Sequence, residues 1–142
     1  MDFPFKISIN SEEETRETAK EFSKILIDGD IVALNGDLGT GKTFFVKAVC
    51  KEYKIENVNS PTFAIVYEYS GERKIYHFDF YRIKKIEELY DLGIEDYLND
   101  EEAITFIEWA DMMNEVLPHK YYSILIKMLE ENKREITITK HG

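Results

Sequence analysis

The chain carries a single cysteine, Cys50, among 142 residues. It can therefore form no internal disulfide, and it offers no second thiol for a C-x-x-C metal or redox site. That usage fits a reducing cytoplasm. No apolar run approaches the ~18 residues that read as a membrane span, and Met1-Asp2-Phe3-Pro4-Phe5 lacks the basic-then-apolar order of a secretory signal. An unanchored cytoplasmic protein is expected. Basic residues are scarce as well: 18 Lys and Arg against 28 Asp and Glu leave a net charge of −10. That deficit argues against DNA binding and against gripping any nucleic acid backbone unaided, because each phosphate contact wants a cation. Repeats, low-complexity stretches and linkers are also missing, so residues 1–142 read as one domain. At that length about 68–70% of the unfolded surface can be buried without disulfides or a structural metal.

What is present is a regular alternation of elements. Phe5, Ile7 and Ile9 alternate with polar residues, predicting a strand. Ser11-Glu12-Glu13-Glu14 forms a capping box, and Ala19, Phe22, Ile25 and Leu26 supply a helical stripe that stops at Gly29. Ile31-Val32-Ala33-Leu34 is an unbroken apolar run of the kind a strand covered on both faces needs, and it reads as the central strand. Phe44 to Tyr53 has helical spacing. Phe63–Tyr69 and Ile75–Phe80 predict a hairpin about Ser70-Gly71-Glu72-Arg73. Ile86, Leu89 and Tyr90 are spaced for a helix before Gly93, with a further turn over Ile94–Leu98. Ala103–Ile107 is a second buried strand ending in Glu108-Trp109, and Tyr121–Leu129 with Glu135–Lys140 predicts a hairpin turning at Glu131-Asn132-Lys133-Arg134. The pattern is α/β: three layers, a central mixed β-sheet flanked by helices, and a C-terminal antiparallel hairpin.

Between the central strand and the helix that follows lies Gly36-Asp37-Leu38-Gly39-Thr40-Gly41-Lys42-Thr43, which fits G-x-x-x-x-G-K-[ST] at every fixed position. With this composition about 0.003 such matches would arise by chance. Glycines let backbone N–H groups close around phosphate oxygens, and the next helix aims its positive end at the same anion. Lys42 is then placed to neutralise the β- and γ-phosphates and Thr43 to ligate Mg²⁺, in a P-loop NTPase-like fold.

Such a loop needs a second carboxylate at the end of a neighbouring buried strand. Glu108 has that position, for direct or water-mediated Mg²⁺ ligation, with an ordinary strand-end acid as the plainer reading. In Tyr76-His77-Phe78-Asp79-Phe80-Tyr81-Arg82, alternation places Tyr76, Phe78 and Phe80 toward a core and His77, Asp79 and Tyr81 on a polar face. Asp79 there suits orientation of an attacking water or support of the metal; the alternative is an exposed strand face. His77 alone reads as structural. Arg82 is either an ion-pair partner at a helix start or a charge for a transferring phosphoryl group. Ser60-Pro61-Thr62 is either a Pro-fixed turn or a switch segment whose Thr62 senses the γ-phosphate and Mg²⁺.

Taken together, the P-loop, Ser60-Pro61-Thr62-Phe63, Tyr76–Arg82, Glu87-Glu88-Leu89 with Gly93-Ile94-Glu95-Asp96-Tyr97, and Ile107-Glu108-Trp109 resemble the bacterial TsaE (YjeE) family. These are P-loop ATPases of the machinery that makes N6-threonylcarbamoyladenosine next to the anticodon of tRNA. The resemblance runs in order from about Ser11 to Trp109. It implies ATP and Mg²⁺ as cofactors and a weak intrinsic ATPase that depends on partners. The implied partners are threonylcarbamoyl-transferase proteins of the TsaD and TsaB type, with tRNA met through their complex. By the same resemblance, Lys42 and Thr43 are the phosphate and Mg²⁺ residues, Glu108 the Mg²⁺ acid and Thr62 a switch residue. Asp79 is needed for hydrolysis, Trp109 for activity, and Ser11, otherwise simply a helix cap, lies near the nucleotide.

Guanine specificity is not written in the chain. Asp79-Phe80-Tyr81-Arg82 fails the Asp-x-x-Gly switch, and Asn132-Lys133-Arg134-Glu135 only approximates Asn-Lys-x-Asp and reads better as a turn. Asn132 can still meet an adenine edge, whose donor and acceptor an amide matches. A small-molecule kinase would be expected to cluster arginines in a lid, and Arg16, Arg73, Arg82 and Arg134 are scattered. A nucleotide-dependent binding switch with incidental hydrolysis is a further alternative. The acidity is uneven: Lys84 to Leu117 holds eleven acids and two bases, a net of −9, leaving −1 for the rest. This segment reads as a solvated helix face or as a docking surface for a basic partner.

Overall fold

The computed structural model of the chain describes residues 1–58 and 65–142. The first strand, β1, spans Phe5–Ile9, and helix α1 spans Glu12–Ile25. Ser11 Oγ accepts from the Glu14 backbone N–H at 3.2 Å, and Glu14 Oε2 accepts from the Asn10 N–H at 2.7 Å. The cap is reciprocal as expected, but Glu14 reaches one residue further back than a capping box; a cap of this kind stabilises a helix by about 1 kcal/mol. The helix ends at Ile25, short of Gly29, because Leu26 is already extended and the Asp30 carboxylate accepts from the Ile27 N–H at 2.8 Å.

Strand β2 is Ile31–Asn35 and helix α2 is Lys42–Glu52. There follow β3 (Val66–Ser70), β4 (Lys74–Asp79), α3 (Ile86–Leu92), α4 (Ile94–Leu98) and β5 (Ala103–Glu108). A 3-10 segment, Ala110–Val116, leads to β6 (Tyr121–Glu130) and β7 (Lys133–His141). The strands form one sheet in the order β1-β7-β6-β2-β5-β4-β3. Strand β2 runs parallel to both β5 and β6, and β4 runs parallel to β5, while the β1/β7, β3/β4 and β6/β7 pairs are antiparallel. The sheet is therefore mixed, and the run read as central is the fourth of seven.

That run is apolar at consecutive positions because both its faces are covered. Val32 and Leu34 pack with Phe22 of α1 and with Phe45, Val46 and Val49 of α2. Ile31 and Ala33 pack into the opposite layer with Leu89 of α3 and Ile94 of α4. Gly93 takes φ +83 between those two short helices, a left-handed turn that glycine makes at little cost. The result is the three-layer α/β arrangement that the element pattern predicts.

Other parts of the element pattern differ from the sequence reading as well. The β3 strand starts at Val66, and Phe63 and Ala64 lie outside the described residues. The C-terminal hairpin is longer and tighter than expected, turning at Glu131-Asn132 with Asn132 at φ +64. It is also no appendage, since β6 pairs with β2 and β7 with β1. The 3-10 segment was not anticipated; its apolar residues have no helical stripe, and Met113 breaks it at φ −142. Among the described residues, no helix is long and apolar enough to cross a membrane.

Candidate nucleotide site

Strand β2 delivers the chain into the loop Gly36–Gly41, and α2 starts at Lys42. Gly36 and Gly41 adopt φ +148 and +111, which side chains of L-residues rarely reach. A Cβ on Gly36 would stand 2.5 Å from the Ile126 carbonyl oxygen, and one on Gly41 would stand 2.9 Å from Arg134 Nη1. The loop is thus pressed against the β6/β7 hairpin. Thr40 closes it from inside: its hydroxyl donates to the Asp37 carbonyl at 2.9 Å and its side chain is buried. Asp37, Leu38 and Gly39 form the exposed tip.

Lys42 is buried, and its Nζ donates to the carbonyls of Gly36 at 2.5 Å and Asp37 at 3.0 Å. The ammonium also sits 4.1 Å from the centroid of the Trp109 ring. Burial lowers the Lys42 pKa, against the opposing pull of Glu108, Asp79, Asp37 and Asp111. One residue on, the Thr43 hydroxyl lies 2.8 and 2.9 Å from the two oxygens of Glu108. Parallel pairing makes this meeting possible. Glu108 ends β5 in register with Leu34 of β2 on one side and Asp79 of β4 on the other, so three strand ends converge beside the start of α2.

Of the expected polar row only His77 is fully interior; Asp79 is half-buried and Tyr81, just past β4, is exposed. His77 is fully buried, with Nε2 2.6 Å from Glu108 Oε2 and Nδ1 3.3 Å from the Tyr69 hydroxyl. Alternation had placed it on a face that the α1 and α2 layer turns out to cover, where Ile75 and Phe106 are also buried. Asp79 Oδ1 accepts from the Tyr81 N–H at 2.9 Å. Burial pushes the Asp79 pKa up; the Tyr81 N–H opposes this, Glu108 reinforces it, and His77 and Lys42 pull the other way.

That shift has a sign. A carboxyl whose pKa rises on folding adds stability at low pH and loses it as pH rises through the folded value. Asp79 is therefore a net cost to the fold at neutral pH. Asp79→Asn should melt at a higher temperature than the parent chain at pH 7, with the gap closing as the pH is taken down through the carboxylate range. Melts followed by circular dichroism at several pH values check this.

Trp109 holds φ +58 just past β5, its N–H donating to the Leu34 carbonyl at 2.9 Å and its ring 4.7 Å from that of Tyr81. Asn35 Oδ1 accepts from the Asp111 N–H at 2.9 Å, pinning the 3-10 segment beside the loop. On the other flank a cleft of about 170 Å³ is lined by Asn10, Ser11, Thr15, Asn132 and Arg134. Arg134 bridges this cleft to Gly41, so the structure brings Ser11 and Asn132 together on the P-loop's side of the sheet. In the sequence Arg134 falls in a hairpin turn, and no local motif carries its proximity to Gly41 and this cleft. Arg82 is exposed and, among the described residues, makes no ion pair. Ser60, Pro61 and Thr62 lie outside the described residues.

The donors gathered at the loop are one hydroxyl and the carboxylates of Glu108 and Asp79. Hard oxygens of this number suit Mg²⁺, which is usually held by one or two protein groups together with phosphates and waters. Among the described residues no three His, Cys, Asp or Glu side chains are grouped to hold a metal by themselves.

Known proteins match this sequence and this geometry. The family model described as "Threonylcarbamoyl adenosine biosynthesis protein TsaE" matches residues 9–136. A protein of Rickettsia typhi named tRNA threonylcarbamoyladenosine biosynthesis protein TsaE is 43% identical over 138 residues, covering 95% of this chain and 94% of that one. The protein of the same name from Bacillus subtilis is 40% identical over 132 residues, covering 92% and 82%. The crystal structure of Bacillus subtilis YdiB superposes with a TM-score of 0.78 at 32% identity, over 97% of this chain and 86% of that one. With a P-loop NTPase-like fold, a glycine loop closed on Lys42 and a family match that spans nearly all of its length, this chain belongs to the TsaE family.

Proposed function

We propose that residues 1–142 form a single Mg²⁺-dependent ATPase domain that works in the cytoplasm to support formation of N6-threonylcarbamoyladenosine in tRNA. The observation that carries the ATPase reading is the contact of Thr43 with both oxygens of Glu108 at the mouth of the loop. It joins a hydroxyl that can ligate Mg²⁺ to the acid that would balance the ion. Membership of the TsaE family and the printed names of the relatives support the tRNA role.

In this reading the backbone N–H groups from Gly36 to Thr43 and the start of α2 hold the phosphates. Lys42 leaves the loop carbonyls for the β- and γ-phosphates, and Mg²⁺ bound at Thr43 and Glu108 would neutralise the charge that develops on the γ-phosphoryl group. Asp79 orients the attacking water and Thr62 senses the γ-phosphate. Trp109, already stacked on the Lys42 ammonium, guides that side chain. The cleft of Ser11, Asn132 and Arg134 takes the adenosine end. The partners are threonylcarbamoyl-transferase proteins of the TsaD and TsaB type, and tRNA is met through them, in keeping with a chain of net charge −10.

The test is reconstitution. The purified chain is added to the transferase partners, unmodified tRNA, a threonylcarbamoyl donor and ATP, and modified adenosine is counted per partner complex alongside phosphate release. Many turnovers are expected only with the chain and ATP present. Equal turnover without the chain overturns the reading. Phosphate on a small metabolite would mark a kinase, and full support from a hydrolysis-dead variant would mark a pure binding switch.

A further inference from the structure

Behind Glu108 lies a second tier of buried polar groups that the site reading does not use. His77, on β4, presents Nε2 at 2.6 Å to Glu108 Oε2, and its Nδ1 faces the Tyr69 hydroxyl of β3 at 3.3 Å. All three side chains are buried. A carboxylate can only accept, so Nε2 carries a hydrogen toward Glu108, while the Tyr69 hydroxyl stands within hydrogen-bond reach of Nδ1. Among the described residues no buried side-chain nitrogen or oxygen lacks a partner, and this contact is what partners Nε2.

Glu108 is consequently held from two directions. Thr43 donates from the loop side at 2.8 and 2.9 Å, and His77 donates from within the sheet. A glutamate at a strand end has three side-chain torsions to restrain. Donation from behind fixes its carboxylate plane, which draws the Thr43 hydroxyl hydrogen inward and turns the oxygen's lone pairs out toward the loop. Carboxylates and hydroxyls that bind a metal are ordinarily oriented by such outer partners.

We propose that His77 is a positioning residue that sets the Mg²⁺ affinity of the nucleotide site by locking the carboxylate of Glu108, with Tyr69 fixing the ring. The proposal rests on the Mg²⁺–nucleotide reading of the site given above. It assigns a role to a buried side chain that the sequence pattern marks only as structural.

Binding of a non-hydrolysable ATP analogue is measured by calorimetry in EDTA and across a Mg²⁺ series, for the parent chain, His77→Leu and His77→Gln. The parent chain should gain affinity with Mg²⁺. His77→Leu should need ~10–100-fold more Mg²⁺ for the same gain while its affinity in EDTA stays at the parent value. His77→Gln, whose amide can donate from a similar place, should recover most of the difference. Parental Mg²⁺ dependence in His77→Leu, or an equal loss in EDTA, overturns the proposal. Absence of any Mg²⁺ gain in the parent chain overturns instead the reading of the site. If His77→Leu does not fold, nitrogen-15 NMR of the unaltered chain decides: a hydrogen on Nε2 supports the proposal, and one on Nδ1 alone overturns it.

Discussion

Lys42→Ala is expected to weaken ATP binding ~100-fold or more, the scale set by losing charge-assisted bonds to phosphate, and calorimetry will read it directly. The fold should not suffer in proportion. The ammonium is buried against two loop carbonyls and the Trp109 face, and its lowered pKa shows that desolvation outweighs the attraction of the four acids around it. A lysine whose pKa falls on folding is a net cost wherever it is charged, so at pH 7 its removal releases that cost. Lys42→Met, which keeps the bulk and drops the charge, should therefore melt at the same temperature as the parent chain or a few degrees higher, on the order of what one relieved polar burial yields. A variant that binds ATP like the parent chain would remove Lys42 from the site.

Glu108→Gln should separate hydrolysis from binding, lowering turnover ~100–1,000-fold, the usual effect of deleting one preorganised electrostatic contact, while nucleotide affinity changes far less. The amide oxygen can still accept from His77 Nε2 and Thr43 Oγ1, so the geometry survives and the negative charge does not. Glu108→Ala tests something else. It strands one fully buried donor, His77 Nε2, at a cost of about 1–3 kcal/mol when left without a partner, together with the half-buried Thr43 hydroxyl, and should lower the urea midpoint as well as the rate. Phosphate release paired with urea unfolding distinguishes the two variants. Parental turnover in Glu108→Gln would overturn the assignment of this acid.

The parts of this protein that were legible in its sequence are those where chemistry dictates spacing. Gly36, Gly41, Lys42 and Thr43 must stand where they do for a backbone loop to close and a helix to start, so the motif shows itself. Glu108 could be picked out because a phosphate loop calls for a carboxylate at the end of a neighbouring buried strand, and the fold sets it against Thr43. His77 reads as structural and is buried, but period-two alternation says which residues share a face and not what covers that face; the α1 and α2 layer covers His77, while Asp79 is half-buried and Tyr81 exposed. Arg134 and the place of the last hairpin were illegible for a different reason. Strand order is decided by which faces and edges remain to be buried across the whole chain, and nothing near Asn132 indicates that β6 lies beside β2. Thr62 stays an expectation, since residues 59–64 are outside the described part of the chain.

The pairing of the first strand with the last bears on when this site comes into being. Phe5 is opposite Ile138 and Ile9 opposite Arg134, while Gly36 rests on Ile126 and Gly41 against Arg134. A ribosome making the chain delivers the glycine loop well before the wall that supports it. Until β6 and β7 have emerged, the loop has no hairpin to close against, and β1 waits unpaired through more than a hundred residues of synthesis, a long-range closure of the slow kind. Nucleotide binding as proposed would therefore await β6 and β7, and a chain truncated before residue 134 should carry its phosphate motif complete in sequence and fail to grip a phosphate.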